Sequence, residues 1–414
     1  MLRVSSITPE VVIVGAGVAG SALAIMLGRR GYRVLLLEKS LVHTDRVRGE
    51  VLVPWGVAEV QKLDLVDGLV AGGAHFTTRA ISYAQGIEPE IARSRARDQG
   101  GIVPGVKGSL NLGHPKICEA LNEEARRLGV ALLRGVERIE VAPGPRPSIA
   151  FVHGGERTAL SPRLIVGADG RGSTIAKQMG ARVFSDPVHH FLSGLLVDGL
   201  DEWPINEQSS GNIGDIGYYL FPQSHGRARL YAAHGLEQKS RFAGSGGSQR
   251  FIEAFDHPAM PYRTCLKQLR PAGPCHGYAN NDVWLDQITA PGVVLIGDAA
   301  GTNDPSIAQG LSLSFRDVRL VSDALAHGLD KSADGLAAYA DERRRRMSRY
   351  RMLGQLVGKI RFEFTNEAHA RRQRIAARMA SEPELAFPQI ATSKGYEAVP
   401  DHVYTDEYRE WVLR

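Results

Sequence analysis

The sequence predicts an α/β fold that opens with a strand, a helix and a second strand, and three observations support this. The run from Val11 to Val14 is apolar and β-branched, as expected of a buried parallel strand. Gly15, Gly17 and Gly20 follow it in G-x-G-x-x-G spacing and open an amphipathic stretch. A second apolar run then ends in an acidic residue, Glu38. This order is typical of a Rossmann-like unit.

The chemistry of this unit indicates a dinucleotide ligand. The first glycine permits a tight turn, the second lets the backbone approach a pyrophosphate, and the third lets the helix pack closely on the sheet. The N-terminus of the helix supplies positive potential to the phosphates. Glu38 lies where an acidic residue would accept hydrogen bonds from the ribose hydroxyls. An acid there favours the unphosphorylated adenosine ribose of NAD or FAD, and the motif does not separate these two.

Three later stretches distinguish the two cofactors by their order along the chain. The stretch "RVRGEVL" contains Arg48. A second strand-like run ends at Asp169 and Gly170, and a third ends at Asp298 and continues into a loop of small residues. Taken alone, each has a structural alternative: a surface arginine, a turn-forming Asp-Gly pair and a helix cap. In this order they resemble the flavoprotein monooxygenase family typified by para-hydroxybenzoate hydroxylase, from about residue 11 to about residue 325.

The resemblance implies that the cofactor is FAD and that its parts are bound by different motifs. The residues implied are those for the ADP moiety (Gly15, Gly17, Gly20, Glu38), the pyrophosphate (Arg48, His114), the adenine (Val136), both FAD and the nicotinamide cofactor (Asp169, Gly170), the ribityl chain (Asp298) and the isoalloxazine ring (Pro305, Gly310, Leu311).

The chemistry of the third motif agrees with this assignment. An ionised aspartate accepts hydrogen bonds from a row of hydroxyls strongly, and a flat ring laid against backbone needs small side chains. The N-terminus of the helix after the loop would stabilise negative charge on a reduced flavin. Gly301, Ala308 and Ser312 stand where the family usually has histidine, glycine and asparagine. These departures leave the fold prediction intact and the docking of a nicotinamide cofactor open.

The predicted architecture is a Rossmann-like FAD-binding domain of the GR2 type with an inserted, mixed or antiparallel β-sheet substrate domain and a C-terminal helical segment. Alternating strand-like runs with turn signals between them support the inserted sheet. The C-terminal segment is expected to end in a helix and an extended tail. We expect it to pack on the core or on a second copy of the chain, forming a homodimer. The expected boundaries are 1–72, 106–182 and 282–340 for the FAD domain, 73–105 and 183–281 for the substrate domain, and 341–414 for the helical segment.

The family resemblance implies a reaction in which NADPH or NADH reduces the flavin and O2 adds to give a C4a-hydroperoxide. The expected substrate is a small aromatic or conjugated organic molecule that is hydroxylated or epoxidised. Strand alternation places Tyr219 and Phe221 on one face of the sheet expected over the flavin. Tyr219 and His225 are weak candidates for substrate binding or proton transfer, and ordinary packing is the favoured alternative. The pair His189 and His190 is expected to be structural.

Two other enzyme classes on the same fold compete with this hypothesis. A flavin-dependent halogenase shares the Asp304-Pro305 pair, yet the four tryptophans are isolated and form no W-x-W-x-I-P motif. A flavin reductase of polyprenyl double bonds would need a wide apolar channel and membrane affinity. A non-enzymatic flavin-binding regulator would need a further domain, for which the sequence gives no sign.

Composition excludes several other classes. The net charge is +5 with a pI near 9.1, which suits an anionic small ligand and falls short of a nucleic-acid-binding surface. The three cysteines have no metal or disulfide spacing, so no metal site is predicted and a cytoplasmic location is expected. The longest uncharged run, 11–27, is too short and glycine-rich to span a membrane. The basic runs 93–97 and 343–346 are predicted to be solvated.

Overall fold

A computed structural model describes residues 8–45, 47 and 49–414. In this part of the chain the strands β1 to β22 are, in order, Val11–Val14, Val34–Glu38, Val51–Leu52, His75–Thr77, Arg79–Ala84, Arg97–Asp98, Ser109–Asn111, Ala131–Arg134, Val136–Ala142, Ser148–His153, Glu156–Leu160, Leu164–Gly167, Val183–Ser185, His190–Asp198, Glu207–Ile213, Ile216–Gln223, Arg227–His234, Arg270–Pro271, His276–Asn280, Val283–Leu285, Thr289–Ala290 and Val293–Leu295.

Over the same residues, the helices α1 to α13 are Val18–Arg29, Pro54–Lys62, Val66–Ala71, Pro89–Ser94, His114–Arg127, Thr174–Gln178, Gly247–Ala254, Arg263–Leu266, Gly310–Ala324, Ala333–Arg361, Asn366–Arg378, Phe387–Lys394 and Asp406–Leu413. Short 3-10 helices occupy Leu236–Gln238, Gly297–Ala300, Pro305–Ile307, Leu329–Lys331, Pro383–Ala386, Tyr396–Ala398 and Asp401–Tyr404.

A six-stranded sheet in the order β21-β22-β12-β1-β2-β8 forms the core of the nucleotide-binding part. All its pairs are parallel except β21 with β22. Val12 lies opposite both Leu35 and Ile165, and these side chains are fully buried. The carboxyl ends of β1, β2, β12 and β22 meet at one edge, which is where ligands bind in open α/β sheets. The three predicted motifs all follow these strands.

An eight-stranded sheet forms the second layer, in the order β18-β14-β17-β16-β15-β5-β6 with β19 also paired to β14. Its pairs are antiparallel except β15 with β5. One face packs Tyr218 and Leu220 into a core of its own, while Tyr219 and Tyr231 lie on the opposite face. The predicted fold class, with a mixed and largely antiparallel sheet inserted in an FAD-binding fold, is confirmed. The domain boundaries given above stay a prediction.

The C-terminal segment packs on the rest of the chain. Helices α10, α12 and α13 form one apolar cluster with Trp55 of α2, Ile307 and Leu313. The prediction of a single final helix and an extended tail is wrong, because three helices and several 3-10 turns follow α10. Apolar side chains at helical spacing, such as Tyr408 and Val412 of α13, explain the difference, since both are buried against this cluster.

The prediction that the basic run 343–346 is solvated is wrong for two of its four arginines. Arg343 and Arg346 are fully buried, whereas Arg344 and Arg345 are exposed. Residues three apart share a helix face, so the first and last arginines of the run face α9 together. Among the described residues, no helix combines the length and apolar character needed to span a membrane.

Candidate cofactor and substrate site

A cavity of about 850 Å³ lies between the carboxyl edge of the six-stranded sheet and one face of the eight-stranded sheet. Most residues predicted to bind the cofactor line it. These are Gly15, Gly17, Glu38, His114, Val136, Asp169, Gly170, Asp298, Pro305, Gly310 and Leu311. Arg48 lies outside the described residues. The sheet side of the cavity is lined by Leu192, Tyr219, Phe221, Tyr231, Tyr278 and Asn280.

Each of the three fingerprint glycines is required for a different steric reason. Gly15 has φ +105°, and a Cβ there would lie 2.3 Å from the Ala168 carbonyl oxygen. A Cβ at Gly20 would lie 1.9 Å from the Gly15 oxygen, so this glycine serves the packing of α1 and not the cavity. A Cβ at Gly17 would meet nothing within 4 Å. Gly17 thus borders open space where a ligand can approach the backbone.

Glu38 is held at the end of β2 by two backbone amides. Its carboxylate accepts hydrogen bonds from the Ala16 amide at 2.9 Å and the Ser40 amide at 2.8 Å. The side chain is largely buried and borders the cavity. Val136, the first residue of β9, and His114, the first residue of α5, border the same end of the cavity. This end therefore combines a carboxylate with a helix N-terminus.

Asp169 organises the turn that it begins. Its carboxylate accepts hydrogen bonds from the Ser173 hydroxyl at 2.5 Å and the Thr174 amide at 2.7 Å. Both interpretations of this residue therefore have support, since it shapes a turn and also lines the cavity. Arg171 in this turn places its Nε 3.8 Å from Oδ2 of Asp298. The turn thus approaches the loop after β22 across the cavity.

The loop that carries Asp298 and Pro305 is anchored from behind by buried charges. Asp317 of α9 accepts a hydrogen bond from the Gly297 amide at 2.8 Å and pairs with Arg343 and Arg346. Arg343 also donates to the carbonyl oxygens of Gly297 and Gly301, both at 3.0 Å. These contacts fix the backbone behind Asp298 and leave its side chain at the cavity.

Tyr219 links the sheet to this loop. Its hydroxyl donates to the Ser306 carbonyl oxygen at 3.1 Å, and burial raises the pKa of Tyr219. The phenol is therefore neutral near pH 7, with its proton committed to the backbone. The predicted alternation holds, because Tyr219 and Phe221 line the cavity and Tyr218 and Leu220 face the other core.

Sequence reasoning missed a buried polar group on the cavity wall. Glu50 accepts hydrogen bonds from the Tyr231 hydroxyl and from Nε of Arg229, the latter at 3.1 Å. Arg229 is buried and also pairs with Asp45. Burial raises the pKa of Glu50 and the pKa of Tyr231. Glu50 stands two positions after Arg48 in the quoted motif, but its partners are about 180 residues away, so the local pattern could not reveal the pairing.

His225 lies elsewhere. It occupies the turn between β16 and β17 with φ +65° and borders a separate depression with Asp198, Arg227 and Arg270. The structure does not bring His225 to the cavity that Tyr219 lines.

Comparison with known proteins identifies the ligand class. A family model described as an FAD binding domain matches residues 8–352. The chain belongs to this FAD-binding family. The resemblance to FAD-dependent monooxygenases and the prediction of FAD are confirmed. The geometry fits this cofactor, because open backbone at Gly17, carboxylates at Glu38 and Asp298, and a loop of small residues succeed one another along the cavity.

Relatives within this family include enzymes of known activity. Squalene epoxidase 2, mitochondrial, of Arabidopsis thaliana is 26% identical over 324 residues, which cover 76% of this chain and 54% of that protein. The chain thus spans about half the length of this relative.

Solved structures share the fold. The p-nitrophenol 4-monooxygenase PnpA of Pseudomonas putida DLL-E4 has a TM-score of 0.76 at 16% identity, covering 94% of this chain and 98% of that one. The flavin-dependent halogenase CmlS has a TM-score of 0.74 at 16% identity, covering 98% of this chain and 76% of that one. Since one FAD-binding fold serves both enzymes, the fold alone does not select the reaction.

Proposed function

We propose that the protein is an FAD-dependent monooxygenase that uses NADPH or NADH and O2 to hydroxylate or epoxidise a small aromatic or conjugated organic substrate. The observation that carries this proposal is that one cavity joins the predicted nucleotide-binding residues to an aromatic end formed by the inserted sheet. A monooxygenase needs both ends, because the reactive ring must meet the substrate away from water.

Residues along the cavity would hold the successive parts of FAD. Glu38 would accept hydrogen bonds from the ribose hydroxyls, and Gly17 and His114 would flank the pyrophosphate. Asp298 would bind the ribityl chain, and the loop from Pro305 would lie against the ring. When bound, FAD supplies the redox chemistry and the activation of O2.

The chain's own contribution is to enclose, orient and manage protons. Leu192, Phe221 and Tyr278 give the sheet side of the cavity an apolar surface that excludes water. The N-terminus of α9 at Gly310 directs positive potential to the loop side, where negative charge on the cofactor would be stabilised. Glu50 accepts hydrogen bonds from the Tyr231 hydroxyl and the Arg229 guanidinium at the cavity wall, and burial raises the pKa of its carboxyl. These roles need neither a dedicated nucleophile nor a metal in the cavity.

The lining supports the proposed substrate class. Three tyrosines and a phenylalanine face the cavity, and Asn280 and Glu50 supply polar groups that can orient a ligand. Flat, conjugated molecules stack on such walls. By its name, the structural neighbour PnpA acts on p-nitrophenol, which fits this description. The squalene epoxidase relative acts on squalene, whose double bonds are isolated from one another, so it does not support a conjugated substrate.

The halogenase alternative has no support in the cavity. Halogenases on this fold carry a lysine in the substrate pocket. Among the described residues that line this cavity, the only lysine is Lys39, which follows Glu38 at the nucleotide end. The motif W-x-W-x-I-P is also absent from the sequence.

The test is aerobic oxidation of NADPH and NADH by the purified FAD-loaded protein across a panel of aromatic and polyene compounds. We expect one or more compounds to stimulate oxidation and to acquire one atom of ¹⁸O from ¹⁸O2. Turnover that requires a halide and externally reduced flavin would overturn the monooxygenase proposal. Protein that is colourless and does not take up FAD would overturn the whole assignment.

We further propose a cytoplasmic location and a small-molecule partner, without nucleic acid and without stable membrane insertion. Three unpaired cysteines, two of them buried, support a reducing compartment. A homodimer remains part of the proposal, and sedimentation of the FAD-loaded protein would test it.

A further inference from the structure

A second cluster of polar side chains lies behind the cofactor loop, outside the cavity. It consists of His189, His190 and Asp304. His190 and Asp304 are fully buried, while about a third of the His189 side chain reaches solvent. Asp304 directly precedes Pro305, and His190 is the first residue of β14. The cluster therefore joins the cofactor loop to the substrate sheet, and the proposed oxygenase function does not use it.

The spacing of these side chains suits a small cation. Nε2 of His189 lies 3.3 Å from Oδ2 of Asp304, and Nδ1 of His190 lies 3.7 Å from the same oxygen. One ligand atom from each residue lies within 4.8 Å of the others. Two ligands of a tetrahedral zinc ion, each about 2.0–2.2 Å from the metal, are about 3.3–3.5 Å apart. The first of the two nitrogen–oxygen distances falls in this range, and the second exceeds it by a few tenths of an ångström.

Unpartnered atoms provide independent support for a ligand here. Oδ1 of Asp304 accepts a hydrogen bond from the Ser306 amide at 2.8 Å, but Oδ2, which faces both histidines, has no hydrogen-bond partner among the described residues. Asp282 lies next to it, and its Oδ1 accepts from the Asp304 amide at 3.2 Å while Oδ2 is likewise unpartnered. The nearby Arg351 pairs with Asp186. A buried carboxylate oxygen that makes no hydrogen bond is costly.

We propose that His189, His190 and Asp304 bind one divalent metal ion of the zinc class, with water as a fourth ligand. Two imidazoles and one carboxylate favour zinc-like ions over magnesium or calcium, which prefer oxygen ligands. The ion gives the unpartnered Oδ2 of Asp304 a positively charged partner. The sequence contains no metal motif because two ligands are adjacent in the chain and the third lies more than 110 residues later.

The site has a structural role, since none of its ligands lines the cavity. The ring of Phe362 stacks on His190 at 4.6 Å, and a Cβ built on Gly358 would lie 3.4 Å from the His189 ring. The ion would thus connect the substrate sheet, the cofactor loop and the end of α10. Without metal, the two imidazoles form a hydrogen-bonded pair with their Nδ1 atoms 2.9 Å apart, and Oδ2 of Asp304 stays without a hydrogen-bond partner among the described residues.

The test uses FAD-loaded protein without a histidine tag, treated with chelator and then exposed to ZnCl2 or, separately, to MgCl2. We expect one zinc per chain after gel filtration and a rise in Tm of about 3 °C at saturating zinc. X-ray absorption at the zinc edge should show two imidazole nitrogens. His189→Ala and Asp304→Asn should each weaken zinc binding at least tenfold, and Asp304→Asn keeps a side-chain oxygen for the Ser306 amide.

His276→Ala is the matched control, because His276 is exposed on β19 and distant in sequence from the cluster. It should bind zinc as the unsubstituted protein does. Unchanged zinc affinity in His189→Ala, an equal response to magnesium, or no zinc retained after gel filtration would overturn the proposal in favour of a metal-free pair of hydrogen-bonded imidazoles. These readouts do not depend on turnover, so they remain decisive whether or not the monooxygenase proposal holds.

Discussion

Ala308 holds a left-handed backbone conformation, with φ +54°, where the cofactor loop borders the cavity. The related family usually has glycine at this position, and glycine adopts this conformation without a steric penalty. A residue with a Cβ costs roughly 1–2 kcal/mol in the left-handed region. The departure noted in the sequence therefore places local strain next to the expected ring.

Replacing Ala308 by glycine should stabilise the FAD-loaded protein by about 0.5–1 kcal/mol, because relief of strain exceeds the entropy lost by glycine. Denaturant unfolding monitored by circular dichroism measures this. Ala299→Gly, in the 3-10 helix of the same loop, should shift stability the opposite way, since Ala299 has no positive φ to relieve. A loss of stability in Ala308→Gly would contradict the account of strain.

Asp298 is the residue on which the ribityl assignment depends. Asp298→Ala should weaken FAD binding by roughly tenfold or more, since charge-assisted hydrogen bonds contribute about 1.5–3 kcal/mol each. Quenching of flavin fluorescence gives the Kd. Asp323→Ala, a change to a largely exposed carboxylate on α9, should leave it unchanged. Equal affinity in both variants would reduce Asp298 to a structural residue.

At the scale of elements, the cofactor loop depends on the packing of α9 against α10. Arg343 and Arg346 reach Asp317 from one face of α10, and all three side chains are buried. Loss of Arg343 would leave Asp317 paired with Arg346. It would, however, remove the donor to the buried carbonyl oxygens of Gly297 and Gly301, at about 1–3 kcal/mol each.

Arg343→Met should therefore destabilise the protein by about 2–6 kcal/mol, while Arg344→Met should change stability by less than about 0.5 kcal/mol. Thermal and denaturant unfolding of the two variants provide the comparison, because the same substitution is made at adjacent positions of one helix. Similar stabilities would show that the buried network contributes little.

The contact between α2 and α9 accounts for another departure from the family. A Cβ at Gly56 would lie 2.0 Å from Oγ of Ser312, so the two helices touch through small side chains. The larger asparagine usual at position 312 would not fit against α2 here. Gly301 has a similar explanation, because its φ is +111° and a Cβ would lie 2.7 Å from the Val283 carbonyl oxygen. The side chains that fit at positions 301 and 312 are therefore determined by packing partners that lie outside the local motif.

At the scale of the whole molecule, a feature could be predicted from the sequence when the residues that determine it lie close together in the chain. The fingerprint glycines and Glu38 act within one strand-helix-strand unit, and their positions at the sheet edge follow from local geometry. The alternation of Tyr219 and Phe221 could likewise be predicted from strand period alone. The partners of Glu50 and the burial of Arg343 could not, because each depends on contacts between distant segments.

Phe362 lies behind the aromatic end of the cavity, where the segment after α10 packs on the eight-stranded sheet. It follows the last turn of α10, is almost fully buried, and packs with Val47, Leu192 and Tyr219. Truncating a buried phenylalanine to alanine costs about 3–5 kcal/mol and leaves a void. At this position the void would open between the cavity and the protein surface near His189, admitting water.

Phe362→Ala should therefore increase quenching of bound flavin by acrylamide and raise the peroxide released per NADPH oxidised, given the proposed activity. Phe255→Ala is the matched control: Phe255 is equally buried but lies in the core on the other face of the same sheet. It should lose similar stability without changing flavin quenching or peroxide yield. If both variants change quenching alike, the effect would come from general loosening of the sheet, and Phe362 would have no particular part in closing the cavity.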